Sequence, residues 1–252
     1  MSPAWHEELE KWTQALQRNP ADAQAYIERG SVLARQKRYQ NALADFDQAI
    51  RLAPQNAAAY YQRGVAFNDQ KKYEHAVADF DRALKFAPDY ADAYYQRAVA
   101  LQELHHFGHA LDDYTRAIEY QPRFTLAYYN RGDLYATLQR YDEALQDYTL
   151  ALKLYPLSVP LHNNRGNVLI ALNRYDDALD DFLRAFQIAP EDPFINFNIG
   201  VLLLERGEAH EARVYFEQAA KRGHRHAAQY LSKIKQPTKQ VQLKKWWQFW
   251  KP

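Results

Sequence analysis

A 34-residue period of small residues is the feature that most constrains the fold of this chain. The small residues on this grid are Gly30, Gly64, Ala98, Gly132, Gly166 and Gly200. Ala42, Phe46 and Ala49 begin three further rows that keep the same step, with alanine or an aromatic residue recurring at each. A proline row closes the first five units: Pro54, Pro88, Pro122, Pro156 and Pro190. Self-similarity of this kind predicts stacked copies of one supersecondary unit.

Each unit is predicted to be a pair of packed helices. Apolar residues follow helical spacing in segments such as ADFDQAI and DRALKF, and the chain has only eight glycines, which favours helices over strands. A small residue on each helix lets the two backbones approach, and an aromatic residue fills the wedge between neighbouring pairs. Proline ends the second helix. The expected fold class is therefore all-α.

The spacing, the small, aromatic and proline rows, and phrases such as YYQRG and YYNRG resemble tetratricopeptide repeats. The resemblance divides residues 23–226 into six units: 23–56, 57–90, 91–124, 125–158, 159–192 and 193–226. It implies a right-handed α-solenoid of helical hairpins that binds another protein or an extended peptide in a concave groove, without catalysis. A solenoid needs caps at both ends. We expect a capping helix in residues 1–22 and another in residues 227–236, after a last unit that also resembles sel-one-like repeats.

Two charged rows depart from the usual pattern of these repeats. Units one to five carry an arginine before the small residue and an aspartate before the aromatic one: Arg29, Arg63, Arg97, Arg131 and Arg165, with Asp45, Asp79, Asp113, Asp147 and Asp181. Unit six has Ile199 and Tyr215 at these two places. Because both charges are present together or absent together, we predict a partly buried salt bridge within each hairpin. The alternative, an arginine row that binds an anionic ligand, is less favoured because each arginine has its own carboxylate.

The candidate binding surface consists of the first-helix rows that line the concave face in this family. These rows hold tyrosines and carboxamides: Tyr61, Gln62, Tyr95, Gln96, Tyr129, Asn130, Asn163, Asn164, Asn167 and Asn198. Repeated amides can donate to and accept from the backbone of an extended segment, and tyrosines add rigid apolar area. Asn130, Asn164 and Asn198 resemble the asparagine ladder of peptide-binding members of the family. We expect these amides to lie on the open face; the alternative is that they are only solvated surface residues.

Other functions are disfavoured. Co-chaperones of this family that bind a carboxylate terminus use Lys, Asn and Arg on this inner face. Glu28 has the wrong charge for this role, and this chain has tyrosine and glutamine at such places: Tyr61, Tyr95, Gln62 and Gln96. Three histidines, His105, His106 and His109, cluster in one predicted turn, but an exposed turn tolerates histidine without a metal. Neither a metal nor another cofactor is expected. The sequence has no Gly-rich phosphate loop, HExxH motif or nucleophile elbow, so we do not expect an enzyme.

The composition and the first residues of the chain indicate where in the cell the protein is located. The chain has no cysteine, which excludes disulfides and thiolate metal sites and leans towards the cytosol. The first residues, MSPAWHEELEKW, lack the apolar core of a signal peptide, and no run of about 18 apolar residues could span a membrane. We expect a cytoplasmic protein, with peripheral attachment to a membrane left open.

The C-terminal segment is the most unusual part of the sequence. Nine of the 32 Lys and Arg residues, and none of the 31 Asp and Glu residues, lie after Glu217. Residues 237–252 are predicted to form a basic, Trp-rich amphipathic helix that docks on a partner. Its apolar stripe consists of Leu243, Trp246, Trp247 and Trp250, and Lys244 and Lys245 lie largely outside this stripe. The partner could be an anionic membrane surface, another protein or the chain's own groove. Nucleic acid is disfavoured because the acidic body would repel it.

These patterns favour a non-catalytic adaptor or scaffold that binds a protein or peptide. The main alternative is a membrane-surface assembly factor that its basic tail localises. Self-assembly into an oligomer is also left open.

Overall fold

The computed structural model describes residues 3–234, with side chains from Trp5 onward. Within this range the chain forms only helices: α1 (Pro3–Arg18), α2 (Ala23–Arg35), α3 (Tyr39–Leu52), α4 (Ala57–Asp69), α5 (Tyr73–Phe86), α6 (Ala91–Glu103), α7 (Phe107–Tyr120), α8 (Thr125–Thr137), α9 (Tyr141–Leu154), α10 (Val159–Ala171), α11 (Tyr175–Ile188), α12 (Pro193–Glu205), α13 (Ala209–Lys221) and α14 (Ala227–Ile234). The predicted all-α class is confirmed.

The helices pack as successive pairs in two compact units. In residues 1–127, helix α1 precedes hairpin one (α2 and α3), hairpin two (α4 and α5) and hairpin three (α6 and α7). The second unit begins at Tyr128 and contains most of α8. Arg131 of α8 donates to Asp147 of α9, and these two helices form hairpin four. Hairpin five (α10 and α11), hairpin six (α12 and α13) and α14 follow. Each unit has its own apolar core.

The small and aromatic rows form those cores. Phe46, Phe80, Phe182 and Phe216 are completely buried. A Cβ atom added to Gly64 would lie 2.7 Å from the ring of Phe80, so the ring takes the space that a side chain would need. The alanines of both rows are also completely buried, including Ala42, Ala76, Ala110, Ala144, Ala178 and Ala212. The residues that repeat in the sequence are therefore those that let the helices approach.

The helix ends have distinct local causes. The carboxylate of Asp22 accepts from the N–H of Ala25 at 3.0 Å and begins α2, and the side chain of Asn56 accepts from Ala58 at 3.0 Å and begins α4. Two residues after the first helix of each of five hairpins, a non-glycine residue lies in the left-handed region, at φ of 59° or 60°: Lys37, Lys71, His105, Gln139 and Asn173. Hairpin six has Gly207 there, the residue that this conformation favours.

The predicted salt bridges are present in all five hairpins. In each, the arginine Nε and Nη2 donate in parallel to the two oxygens of the aspartate, at 2.6–2.8 Å. The aspartate side chains are only 3–8% exposed, so the pairs are largely removed from water. The prediction of a partly buried bridge within each hairpin is confirmed.

Some of these arginines also reach the preceding hairpin, which the sequence analysis did not predict. The Nη1 of Arg63 donates to Asp47 at 2.6 Å, and that of Arg97 donates to Asp81 at 2.5 Å. In the second unit, the Nη1 of Arg165 donates to the Thr149 hydroxyl at 3.3 Å. One guanidinium thus links three helices.

Hairpin six is held by apolar contacts. Ile199 is completely buried where the other hairpins have arginine. The ring of Tyr230 in α14 lies 5.2 Å from those of both Phe197 and Phe216, so α14 covers this end of the second unit's core.

Candidate functional site

A hydrogen-bonded group of polar side chains runs along the first helices of the second unit. It starts in α8 at Asp133, whose Oδ1 accepts from the Asn164 amide at 2.9 Å and from the hydroxyl of Tyr148. The same amide donates to the Tyr129 hydroxyl at 3.1 Å. Burial raises the pKa of Asp133, and the hydrogen bonds from Tyr148, Asn164 and Tyr129 oppose that shift. Asp133 therefore acts as the shared acceptor of this group.

The group continues through two more asparagines. The Asn163 amide donates to Oδ1 of Asn164 at 3.4 Å, and the Asn198 amide donates to Oδ1 of Asn163 at 3.0 Å. Asp133 can only accept hydrogen bonds, so Asn164 must direct its amino group towards Asp133 and its side-chain carbonyl towards Asn163. Asn163 in turn directs its carbonyl towards the amino group of Asn198. We call Tyr129, Asp133, Asn163, Asn164 and Asn198 the amide network.

The network ends in polar atoms that lack hydrogen bonds. Oδ1 of Asn198 has no partner among the described residues, and neither do Oδ1 and Nδ2 of Asn167, one turn beyond Asn163 and Asn164 in α10. A buried amide atom without a partner costs about 1–3 kcal/mol. A group that brought both an N–H and a C=O to Asn167 would remove that cost.

Asn198 does not lie on an open face, contrary to expectation. Only 1% of the surface of Asn198 is exposed, whereas Asn130, Asn163 and Asn164 are half-buried. The difference arises because α12 is buried over most of its length, with Phe197 and Ile199 on either side of Asn198 also in the core. Asn198 is thus the inner end of the network.

The equivalent row in the first unit is aromatic. The ring of Tyr61 lies 4.8 Å from that of Tyr90, and the ring of Tyr95 lies 4.9 Å from that of Phe124. Burial raises the pKa of the Tyr61 hydroxyl, so it remains a neutral hydrogen-bonding group.

The glutamines of that row differ from each other. Asn68 donates to the backbone carbonyl of Gln96 at 3.1 Å and to its side-chain oxygen at 3.4 Å. Gln62 is half-buried, and its side chain makes no hydrogen bond within the described residues. The first unit therefore offers one engaged and one available amide beside two tyrosines.

Sequence reasoning missed the central position of Asp133. The residue stands five places after Tyr128, and it is the only charged member of its row, which was the available signal. The other members of this row are Ser31, Val65, Val99, Asn167 and Val201. His162 was also missed. Its ring is buried, with Nδ1 2.9 Å from Asp181 and Nε2 3.0 Å from the carbonyl of Pro156, so it supports hairpin five.

Other candidate sites are weaker. The histidine turn, His105, His106 and His109, borders a surface cavity of about 480 Å³. No group of three or more His, Asp or Glu residues within residues 3–234 is arranged to hold a metal ion. None of the described helices is long and apolar enough to cross a membrane. The tail residues predicted to dock, Leu243, Lys244, Lys245, Trp246, Trp247 and Trp250, lie outside the described part of the chain.

Comparison with known proteins identifies the repeats. Tetratricopeptide repeat models match residues 9–57, 57–90, 91–124, 125–156, 159–192 and 198–227. The chain has no match among curated protein sequences.

Solved structures share the fold. YrrB, described as a tetratricopeptide repeat protein with an unusual peptide-binding site, is 26% identical with a TM-score of 0.62, over 79% of this chain and 99% of that one. PilF of Pseudomonas aeruginosa is 22% identical with a TM-score of 0.61, over 71% of this chain and 88% of that one. The Cut9–Hcn1 structure of the APC/C is 14% identical with a TM-score of 0.67, over 92% of this chain and 46% of that one. This helical solenoid is a member of the tetratricopeptide repeat family.

Proposed function

We propose that this protein is a non-catalytic adaptor that binds an extended peptide segment of a partner along the amide network and Asn167. The fold and its structural neighbours support a protein-binding adaptor or scaffold. The observation that carries the finer proposal is the Asn167 amide, whose donor and acceptor both lack partners beside a continuous row of amides.

The chemistry of the row fits a peptide backbone. A carboxamide has donors and acceptors of the same kind as a peptide unit, so it can bond both the N–H and the C=O of a passing chain. Asn163 and Asn164 are half-buried, and Tyr129 and Asn130 lie beside them in α8. Such a surface recognises an extended conformation and makes few demands on the ligand's side chains. The peptide-binding site described for YrrB supports the same use of the fold.

The first unit would add a second, more apolar surface. Tyr61 and Tyr95 offer ring area, and Gln62 offers an amide without a partner in the described structure. We propose that this surface accepts apolar side chains, because rigid aromatic rings bury area at little entropic cost.

A peptide selected from a random displayed library on the full chain tests the proposal. Calorimetry should show that Asn163→Ala, Asn164→Ala and Asn167→Ala each weaken the selected peptide, at about 0.5–1.5 kcal/mol for each lost hydrogen bond. Gln187→Ala, which removes an exposed amide from α11, is the control and should leave affinity unchanged.

Chemical variants of the same peptide show which groups are recognised. N-methylation of its backbone at one or more positions should abolish binding, whereas most side-chain replacements should be tolerated. The three changes Asn163→Ala, Asn164→Ala and Asn167→Ala can also be combined in one variant. If that variant keeps its helicity and binds the peptide with unchanged affinity, the binding site lies elsewhere. The alternative of a membrane-surface assembly factor depends on the tail, and vesicle binding by the full chain tests it separately.

A further inference from the structure

A ring position recurs on the first helix of successive hairpins, one residue before the position that Tyr129 and Asn163 occupy. The residues at this position are Tyr26, Tyr60, Tyr94, Tyr128, His162 and Asn196. In hairpin three, the ring of Tyr94 stacks on that of Tyr120, with centroids 5.7 Å apart and planes at 18°, and lies 5.5 Å from the Arg97 guanidinium. The ring thus fills a fixed place beside the second helix of its hairpin.

In hairpins two, five and six, a polar atom of this side chain contacts the carbonyl of the preceding proline. The Tyr60 hydroxyl donates to the carbonyl of Pro54 at 3.2 Å. In hairpin six, the Asn196 amide donates to Pro190 at 2.9 Å and to the carbonyl of Asp192 at 2.8 Å. Asn196 therefore keeps the link to proline but supplies no ring.

A cavity of about 440 Å³ lies where that ring would be. Tyr94 in hairpin three lies beside Tyr120, Asp113 and Arg116. Three repeat lengths later, the equivalent residues are Arg222, Tyr215 and Gln218, and all three line the cavity together with Asn196, Phe186 and Pro190. We call this space the outer cavity.

We propose that the outer cavity binds a tryptophan side chain and that this tryptophan belongs to the chain's own C-terminal segment. Asn196 lines the cavity, both of its amide hydrogens are used, and its buried Oδ1 has no partner in the described structure. Indole has one N–H donor and no acceptor. Phe186 and Tyr215, 5.6 Å apart, supply aromatic contacts for its ring.

The charges at the rim favour a basic segment. Glu211 is exposed, and the side chain of Glu191 is 81% exposed although it pairs with Arg222 at 2.7 Å. Lys244 and Lys245 directly precede Trp246 and Trp247 in the sequence. An indole over Arg222 would also gain a cation–π contact, as Tyr94 does with Arg97.

The connection permits binding within one chain. Helix α14 packs against α13, which forms one wall of the cavity, and ends at Ile234. Twelve residues lead from Ile234 to Trp246, and an extended segment of that length reaches about 40 Å. The described residues contain only two tryptophans, Trp5 and Trp12, both in α1 of the first unit.

Tryptophan fluorescence of the full chain tests this proposal. With Trp5→Phe and Trp12→Phe, the remaining emission comes from the C-terminal segment alone. We expect blue-shifted emission and several-fold protection from acrylamide in dilute buffer, both independent of protein concentration.

Asn196→Tyr should fill the cavity with the chain's own ring, as in hairpins two to four. The emission should then shift to the red and the protection should be lost, while circular dichroism shows unchanged helicity. Asn41→Tyr, the same change at an exposed position in α3, is the control and should leave the emission unchanged. If Asn196→Tyr fails to fold, replacing Trp246, Trp247 and Trp250 singly by Leu should show that one of them accounts for the protection.

Three results would overturn the proposal. Solvent-exposed emission in the parent chain would show that no tryptophan is buried. Protection that rises with protein concentration would show binding between chains. Protection that appears only with anionic vesicles, and is unaffected by Asn196→Tyr, would show that the segment binds a membrane surface. None of these outcomes bears on peptide capture by the amide network, which calorimetry measures independently.

Discussion

Arg97 and Asp113 form two parallel hydrogen bonds, Nε to Oδ2 and Nη2 to Oδ1, both 2.7 Å long, while the third nitrogen of Arg97 reaches Asp81 in the preceding hairpin. The Asp113 side chain is 7% exposed, so the carboxylate depends on this partner for its compensation in the folded state.

We therefore expect Arg97→Ala to lower the free energy of unfolding by about 3 kcal/mol, because it leaves a largely buried carboxylate without a counter-charge. Thermal and urea melts of Arg97→Ala, Asp113→Ala and the double variant measure the coupling. The double variant should lose clearly less than the sum of the single changes, and additivity would contradict the pairing. Arg116→Ala, which breaks an exposed pair with Glu119, should cost under about 1 kcal/mol.

Gly64→Ala should destabilise the first unit by about 1–3 kcal/mol, since the new Cβ would lie 2.7 Å from the Phe80 ring and force the two helices apart. Gly108→Ala is the matched control. Apart from its chain neighbours and its own helix backbone, no atom lies within 4 Å of a Cβ added at Gly108, and alanine in a helix is favoured over glycine by up to about 1 kcal/mol. Urea denaturation should move the two midpoints in opposite directions.

Lys71→Gly should stabilise the fold by about 0.5–1 kcal/mol. Lys71 lies two residues after the end of α4 and has φ 59°, where a Cβ is strained and glycine is not. The next residue, Lys72, has φ −93°, so Lys72→Gly should destabilise instead through the greater freedom of the unfolded chain. A loss of stability in Lys71→Gly would mean that the lysine side chain itself contributes more than the strain costs.

His224 should make the end of the second unit sensitive to acid. Burial, together with the charges of His226 and Arg225, lowers the pKa of His224 to about 4, and its ring stacks on Phe197 with centroids 4.0 Å apart. An unfolded histidine has a pKa of about 6.5, so the unfolded chain takes up this proton more readily. The stability that neutral His224 contributes to the fold is therefore fully present above about pH 6.5 and is lost progressively as the pH falls towards about 4.

His224→Phe keeps a ring beside Phe197 and removes the proton. Urea melts at several pH values should show that this variant loses the part of the pH dependence that lies between about 6.5 and 4. His226→Phe, at an exposed residue, should retain most of it. Identical pH dependence in His224→Phe and the parent would contradict the assignment.

The periodic rows predicted the fold because each of them has one packing role in every hairpin. The pairing of Arg97 with Asp113 could be predicted because hairpin six lacks both charges at once. The burial of Asn198 could not, since it depends on how α12 and α14 pack at the end of the second unit. The outer cavity at Asn196 was also unpredictable, because a missing ring shows only when its neighbours are placed in space.

The arginines that bridge hairpins affect how each unit loses its structure. Arg63 joins Asp79 of its own hairpin to Asp47 of the preceding hairpin. Unfolding one of these hairpins alone would break the link between them, so the two are expected to unfold together. Between hairpins five and six, the position of this arginine is taken by Ile199, which is completely buried, so the contact at that position is apolar. Ionic strength screens the link from Arg63 to Asp47, whose side chain is 46% exposed, and leaves the apolar contact almost unchanged. Added salt should therefore reduce cooperativity among the early hairpins while hairpins five and six continue to open as one block.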